Sequence, residues 1–456
     1  MTPGSLDTMP DSDERWGPPP PAALAPGEAA PETSAGRGRR EAMRAAYVTL
    51  LIFTAAYFLQ PGEWIPGLGT IPVEKITGGM ALIAFGLSAM GQGGFRLRLP
   101  REIFYLVALF FQLCLAAVFS TVWKGGAFQI VVMEFSKVVL MIIVLVAAVT
   151  TWPRFRKLIF VQVVCICLIT LQALLSSVRL EGRLVASISE RYSNPNDLAL
   201  VMALVTPFIF ALLLGAGSIV KKAIWVVALC GMAYAVLLTS SRGGLIAFLV
   251  AVVVSLWEFG FKGRRIYLIL VAGVGIFALL VASSSSRMGE RMRAMASPDE
   301  DESAYQSRID RQMLFWRSID LTKEHPLFGI GSGNFAELSG NWHVTHNTYT
   351  ELSAEGGIPA LVLFLLILWR SFGNLRGARR AARDKPEQLL WIGGLRASLL
   401  AFMAGACFIS YEYQFVTYFL VAYSSVLYRV SQAQEAGNPL ARAEISGSEG
   451  AIEEYA

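Results

Sequence analysis

A chain of 456 residues that is 54% hydrophobic, only 16% charged and +5 in formal net charge, with a mean hydropathy of +0.52, is far more apolar than a soluble protein of its length needs. The composition points to a bilayer as solvent. It excludes open sheets from the apolar regions, because in hydrocarbon every backbone N–H and C=O must find a partner within its own helix or a closed barrel.

Residues 1–45 place Pro10, the Pro18–Pro21 run, Pro26 and Pro31 among Gly, Ala and acidic residues, without apolar periodicity. They read as a disordered tail rather than a cleavable signal, since the basic cluster Arg37, Arg39, Arg40 and Arg44 comes directly before the first apolar block. The blocks that follow predict an all-α, polytopic helix bundle of roughly twelve spans. Nine fall within 46–282, at roughly 46–60, 71–90, 103–122, 128–150, 158–178, 198–215, 223–239, 244–259 and 266–282. Three more fall within 355–430, at roughly 355–372, 391–410 and 413–430, and 431–456 form a polar tail. Cys114, Cys165, Cys167, Cys230 and Cys407 all lie inside apolar blocks and read as small hydrophobes, with neither a disulfide framework nor a metal-ligand spacing.

Lys and Arg collect at alternate connections: Arg96, Arg98 and Arg101; Arg154, Arg156 and Lys157; Lys221 and Lys222; Lys262, Arg264 and Arg265; and the stretch from Arg370 to Lys385. By the positive-inside rule these connections, and with them both termini, are expected in the cytoplasm. Two segments on the opposite side are too long for simple turns, 179–197 and 283–354, and long loops in compact proteins are usually functional. Within the second, Ile309, Met313, Trp316 and Ile319 recur at helical spacing with Arg308, Arg311 and Arg317 between them. That pattern predicts an amphipathic helix at the membrane surface.

All three histidines, His325, His343 and His346, fall in this long loop. Imidazole is the natural general base near neutral pH. The spacing of the three and the lack of a nearby Cys argue against zinc. His346 leads through Asn347, Thr348 and Tyr349 directly into an apolar run, which sets it at a membrane mouth; the same sequence would also suit a helix cap. A second cluster, Thr239–Ser240–Ser241–Arg242–Gly243–Gly244, puts a lone arginine between two spans on the side where basic residues are scarce. Its guanidinium offers a planar fork for phosphate, and its glycines allow close approach. Snorkelling in a tight turn is the simpler alternative. Arg191–Tyr192–Ser193–Asn194–Pro195–Asn196–Asp197 reads first as a turn and helix cap. The glycines of 329–333 are not a nucleotide loop, since no strand precedes them.

Taken in series, Tyr192–Ala199 (YSNPNDLA), Ser240–Leu245 (SSRGGL), Arg308 with Trp316 and His325–Phe335 (HPLFGIGSGNF), and His346–Gly357 (HNTYTELSAEGG) resemble the O-antigen ligase and polymerase family of bacterial envelope enzymes. The resemblance spans about residues 150–430. It implies a multi-pass inner-membrane glycosyltransferase that takes a glycan from a polyprenyl-pyrophosphate carrier on the periplasmic face, without nucleotide, metal or other cofactor, and with inversion. His346 would be the base for the attacking hydroxyl, and Arg242 and Arg308 would bind the donor pyrophosphate, with Arg191 and Arg311 as possible supports. Glu355, Tyr349 and Tyr411–Glu412–Tyr413 could touch sugars. The acceptor implied is a glycan, lipid A core or a protein hydroxyl, so polymerase, ligase and protein O-oligosaccharyltransferase all stay open. Nothing suggests a nucleic-acid partner. A lipid-linked glycan transporter is the alternative from another class; it calls for ionisable residues near the membrane centre or a pair of interrupted helices.

Overall fold

The computed structural model describes residues 34–64, 67, 69, 71–90, 99–176, 178–180, 182–186, 190–263, 265, 302–339 and 343–436, with the side chains of 34–42, 190 and 302–308 excepted. The helices are α1 (Ser34–Leu59), α2 (Val73–Met90), α3 (Arg101–Phe119), α4 (Lys124–Ala148), α5 (Trp152–Leu175), α6 (Pro195–Gly215), α7 (Ile219–Thr239), α8 (Arg242–Phe261), α9 (Glu302–Glu324), α10 (Thr348–Ala381), α11 (Pro386–Gly405) and α12 (Phe415–Ala436). Among the described residues, nine of these, α2 to α8, α10 and α11, are long and apolar enough to cross a membrane. The chain is an all-α polytopic membrane protein. Its only described sheet is a two-stranded hairpin in which Arg179 pairs with Leu184 and Leu180 with Arg183.

Each sequence-predicted span corresponds to one of these helices except 266–282, which lies outside the described residues. The apolar part of α1, Met43–Leu59, is shorter than the nine. Tyr418, Tyr423, Ser424 and Ser425 of α12, which is not among the nine, are all buried among neighbouring helices. Its core position is set by aromatic packing: Phe415 meets Tyr57 of α1 edge-on with centroids 4.9 Å apart, and Tyr423 meets Phe155 of α5 at 6.0 Å.

Two buried glutamates inside the bundle, Glu258 and Glu102, are paired or hydrogen-bonded, which offsets the cost of a low-dielectric interior. Glu258, at the end of α8, accepts from Lys262 at 2.8 Å, from Arg379 of α10 at 2.7 Å and from Arg396 of α11 at 3.1 Å. Glu102 of α3 accepts from Asn374 of α10 at 2.7 Å and also from Ser425 of α12. Glu134 and Lys137, the pair nearest the middle of a predicted span, meet each other at 2.9 Å on an exposed face.

The largest departure from the hydropathy reading is α10. A span was expected from 355, yet the helix starts at Thr348 and runs to Ala381 across a break at Gly357, where φ is +78°. A side chain there would need both a left-handed backbone and space already taken, since a Cβ would lie 2.5 Å from the Leu327 carbonyl oxygen. The backbone groups freed by the break are satisfied by the glycine-rich segment. Ile330 N–H donates to Ala354 O and Gly331 N–H to Glu355 O, both at 2.9 Å, while Ile358 N–H donates to Pro326 O at 2.8 Å. Gln112 of α3 adds bonds to Leu327 O at 2.7 Å and Gly356 O at 3.0 Å. The turn of 326–333 thereby becomes a plug against the top of α10.

Candidate active site

The first turn of α10 is fixed from both sides. Asn347 Oδ1 accepts from Tyr349 N at 3.0 Å and Thr350 N at 3.2 Å, so Asn347 is the N-cap. Thr348 N–H and Oγ donate to Ile409 O at 2.9 and 2.7 Å, which ties the helix start to the α11–α12 connection. With the cap supplied by its neighbour, His346 is not needed for capping. It sits at φ +53°, a left-handed conformation that few residues other than glycine adopt and that costs on the order of 1 kcal/mol or more. The strain is held by Thr345, whose backbone N–H and hydroxyl donate to Glu351 Oε2 at 3.0 and 2.7 Å.

Around the imidazole the electrostatics are positive. Partial burial, then Arg311, then His343 push the His346 pKa down from 6.5 to about 4, so the ring is neutral at pH 7. Arg311 on α9 is itself destabilised by burial and by Arg242, which lowers its pKa below the ordinary guanidinium range. These influences put His346, Arg311 and Arg242 in one neighbourhood, although they come from three separate segments. Among the described residues none of the three has a hydrogen-bond or ion-pair partner. Arg308 lies one helical turn before Arg311 on α9, but its side chain is outside the described residues.

Arg242 is held by the chemistry the sequence suggested for its turn. Ser240 adopts φ +52°, and Ser241 Oγ caps α8 by accepting from Gly244 N at 3.1 Å. A Cβ on Gly243 would lie 2.4 Å from Phe408 Cβ and one on Gly244 2.2 Å from Ala199 Cβ, so the two glycines let the turn sit flush on α6 and the α11–α12 connection. Arg242 is the exposed residue between these buried neighbours.

The helix predicted at the membrane surface is α9, and both of its sides carry apolar residues. Its inward side is Leu314, Ser318, Leu321 and Thr322; Ser318 and Leu321 are buried, and Thr322 Oγ1 meets Ser353 Oγ of α10 at 2.9 Å. Ile309, Met313 and Trp316 line an open groove of about 420 Å³ together with Gln312, Arg317 and Asp320. Three residues of the apolar stripe read from the sequence therefore line this groove, and α9 packs against α10 through the other side.

Several expected site residues are engaged elsewhere. Arg191 stacks its guanidinium over the Tyr57 ring, 3.8 Å from the centroid, and pairs with Glu74 of α2 at 3.1 Å, so it clamps α1 and α2 and is not free for a phosphate. Tyr349 donates its hydroxyl to Met403 O of α11 at 3.0 Å, inside the bundle. Glu355 is 1% exposed; its carboxylate accepts from Phe335 N at 3.1 Å and from the Tyr413 hydroxyl at 2.8 Å. Burial rather than a facing sugar explains why these two polar residues follow His346. Glu351, Glu355 and Glu412 converge, with one carboxylate oxygen of each within 4.8 Å of the others. Among the described residues this is the one group of Glu, Asp, His or Cys side chains that could hold a cation. Burial, followed by the charges of Glu351 and Glu355, raises the Glu412 pKa well above the usual carboxylate range and favours its protonated form.

The histidine, both arginines and the carboxylates at the top of α10 fall within the part of the chain that matches a known family. No curated protein matches the chain. Residues 226–365 match the family model described as O-antigen ligase, which supports assignment of this protein to the O-antigen ligase family, whose members are ligase- and polymerase-type membrane glycosyltransferases.

Proposed function

We propose that this protein transfers a glycan from a polyprenyl-pyrophosphate carrier to an acceptor hydroxyl at the periplasmic face of the bacterial inner membrane. The observation that carries this reading is the convergence of a neutral imidazole with two guanidinium groups, all without hydrogen-bond or ion-pair partners among the described residues, at the mouth of α10. Positive charge collected in a partly buried place, with no ion pair to these arginines among the described residues, is suited to an anionic ligand. In this reading Arg242 and Arg311, with Arg308 one turn away, bind the pyrophosphate and stabilise the charge that grows on it as the anomeric C–O bond breaks.

His346 takes the proton of the acceptor hydroxyl while its oxygen attacks the anomeric carbon, and polyprenyl pyrophosphate departs with the bonding electron pair. A single displacement inverts the anomeric centre. An imidazole with a pKa of about 4 is a weak base in the free protein. Burial, the larger cause, persists when the donor binds, but the pyrophosphate's negative charges offset Arg311 and so raise the proton affinity of the ring. Base strength is thereby coupled to donor occupancy, which protects against proton uptake when the site is empty. In this reading His346 supplies the base and the arginines the leaving-group stabilisation. On the twelve-span reading, which counts 266–282, outside the described residues, together with α1 to α8 and α10 to α12, the segment 283–354 and the turn at Arg242 face the periplasm and both termini the cytoplasm, in keeping with the distribution of Lys and Arg.

The experiment is to express His346→Ala and Arg242→Ala at wild-type levels and to follow both the surface glycan and its lipid-linked precursor. The reading expects the product to disappear and the carrier-linked glycan to accumulate on the periplasmic leaflet. Undiminished product from His346→Ala would overturn the base, and accumulation on the cytoplasmic leaflet would favour a transporter.

A further inference from the structure

The turn that carries Arg242 needs something to hold it against the repulsion of Arg311, and the structure offers one side chain that the sequence motifs pass over. Arg183, in the second strand of the small hairpin, donates from Nε to Thr239 O at 2.9 Å and from Nη2 to Asn196 Oδ1, also at 2.9 Å. Thr239 is the last residue of α7, so its carbonyl is one that the helix leaves unsatisfied, and a cation there also meets the negative end of the helix dipole. Three residues later comes Arg242. Asn196 stands at the start of α6, where its own N–H donates to Asn194 Oδ1 at 2.8 Å. It lines the same small cavity as Ser241, Gly243 and Gly244.

One planar fork thus joins the two stretches, Asn194–Asn196 and Thr239–Gly244, that approach each other at the outer end of α6 and α8. The other hydrogen bonds of the turn are local, Ser241 N–H to Thr239 Oγ1 at 3.3 Å and Gly244 N–H to Ser241 Oγ at 3.1 Å, while Gly243 rests against Phe408 and Gly244 against Ala199. Loss of the fork leaves Ser240 in its left-handed conformation with the preceding carbonyl unpaired. Movement of the Arg242 guanidinium is the expected consequence, since close charged contacts lose much of their worth when displaced by an ångström.

We propose that Arg183 is a positioning residue that sets Arg242 for pyrophosphate binding, acting through its two-pronged contact and not by touching the donor. This rests on the function proposed above. The test measures the affinity of the purified, detergent-solubilised protein for polyprenyl pyrophosphate in four variants, Arg183→Ala, Arg183→Lys, Asn196→Ala and Arg242→Ala, and in the double variant Arg183→Ala/Arg242→Ala. Arg183→Ala is expected to weaken binding about tenfold, and Arg183→Lys nearly as much, because an ammonium keeps the charge but not the fork. Asn196→Ala should give a smaller loss in the same direction. The double variant should bind no worse than Arg242→Ala alone, the non-additivity expected when one residue acts through another. Full rescue by lysine would mean that Arg183 meets the ligand by charge, and additive losses in the double variant would mean the same; either overturns the proposal, as would unchanged binding in Arg183→Ala. If Arg183→Ala fails to fold, the lysine and Asn196→Ala variants still decide the matter. Unchanged binding in Arg242→Ala would instead count against the proposed function, so the two failures are distinguishable.

Discussion

The start of α10 separates two regions of opposite chemistry that lie within a few residues of each other. On one side His346, Arg311 and Arg242 form a positive neighbourhood whose polar groups have no partners among the described residues. On the other, Glu351, Glu355 and Glu412 are buried, and the first two are saturated with hydrogen bonds from Thr345, Ser410, Phe335 and Tyr413. Internal partners make a charged group part of the scaffold; their lack, at a partly open place, leaves it available to a ligand. Thr345 connects the regions, because the hydroxyl that binds Glu351 belongs to the residue just before the strained His346.

If this division is correct, substitutions on the positive side should remove activity and spare the fold, and those on the carboxylate side should do the reverse. The largest effect is expected from His346→Ala, a fall in kcat of about 10² to 10⁴ typical of a lost general base, with little change in thermal stability. Arg311→Ala and Arg242→Ala should each lower kcat/KM by about 10² to 10³, the range for removing one charged donor from a developing anion. Relief of repulsion should leave the fold of Arg311→Ala at least as stable as wild type. Glu355→Leu should destabilise the protein by about 1–3 kcal/mol, read from thermal unfolding in detergent, because the Phe335 N–H and the Tyr413 hydroxyl lose their acceptor. Glu355→Gln keeps an acceptor and should cost less. Asn347→Ala should cost the least, about 1 kcal/mol for a lost N-cap, with a modest loss of activity as the His346 turn loosens. An inactive but stable Glu355→Gln would blur the comparison by showing that the carboxylate side takes part in the chemistry.

The two regions also differ in how legible they were. The positive side could be read from residue type and place: a histidine at a membrane mouth and an arginine where basic residues are scarce need only hydropathy and the charge rule to be noticed. What could not be read is which loop arginine faces His346, since Arg308 and Arg311 share a helix pattern and the answer depends on how α9 rolls against α10. The carboxylate side was misread as sugar-facing. Glu355 and Tyr349 follow the histidine in sequence, and only their partners, Phe335, Tyr413 and Met403, show that they point inward. Hydropathy likewise delayed the start of α10, because a polar helical turn shielded by protein looks the same in sequence as a solvated loop. Arg183 escaped notice for the same reason. Its partners lie 13 and 56 positions away, and nothing local marks the contact.

Protonation gives the most direct test of the central claim, that His346 is a neutral base held in a positive site until an anionic donor arrives. The measurement is the pH dependence of kcat/KM, which reports groups of the free enzyme, for the wild-type protein and for Arg311→Ala. The folded pKa of about 4 lies below the ordinary 6.5, so the base form persists as pH falls through 6.5 and is lost only near 4. Stability should follow the same window: the unfolded chain binds the proton first, so His346 contributes stability above about 6.5 that is lost as pH falls towards 4. The account predicts a wild-type acid limb with its midpoint near pH 4, moved towards 6.5 in Arg311→Ala. A wild-type midpoint already at 6.5, unmoved by Arg311→Ala, would contradict it.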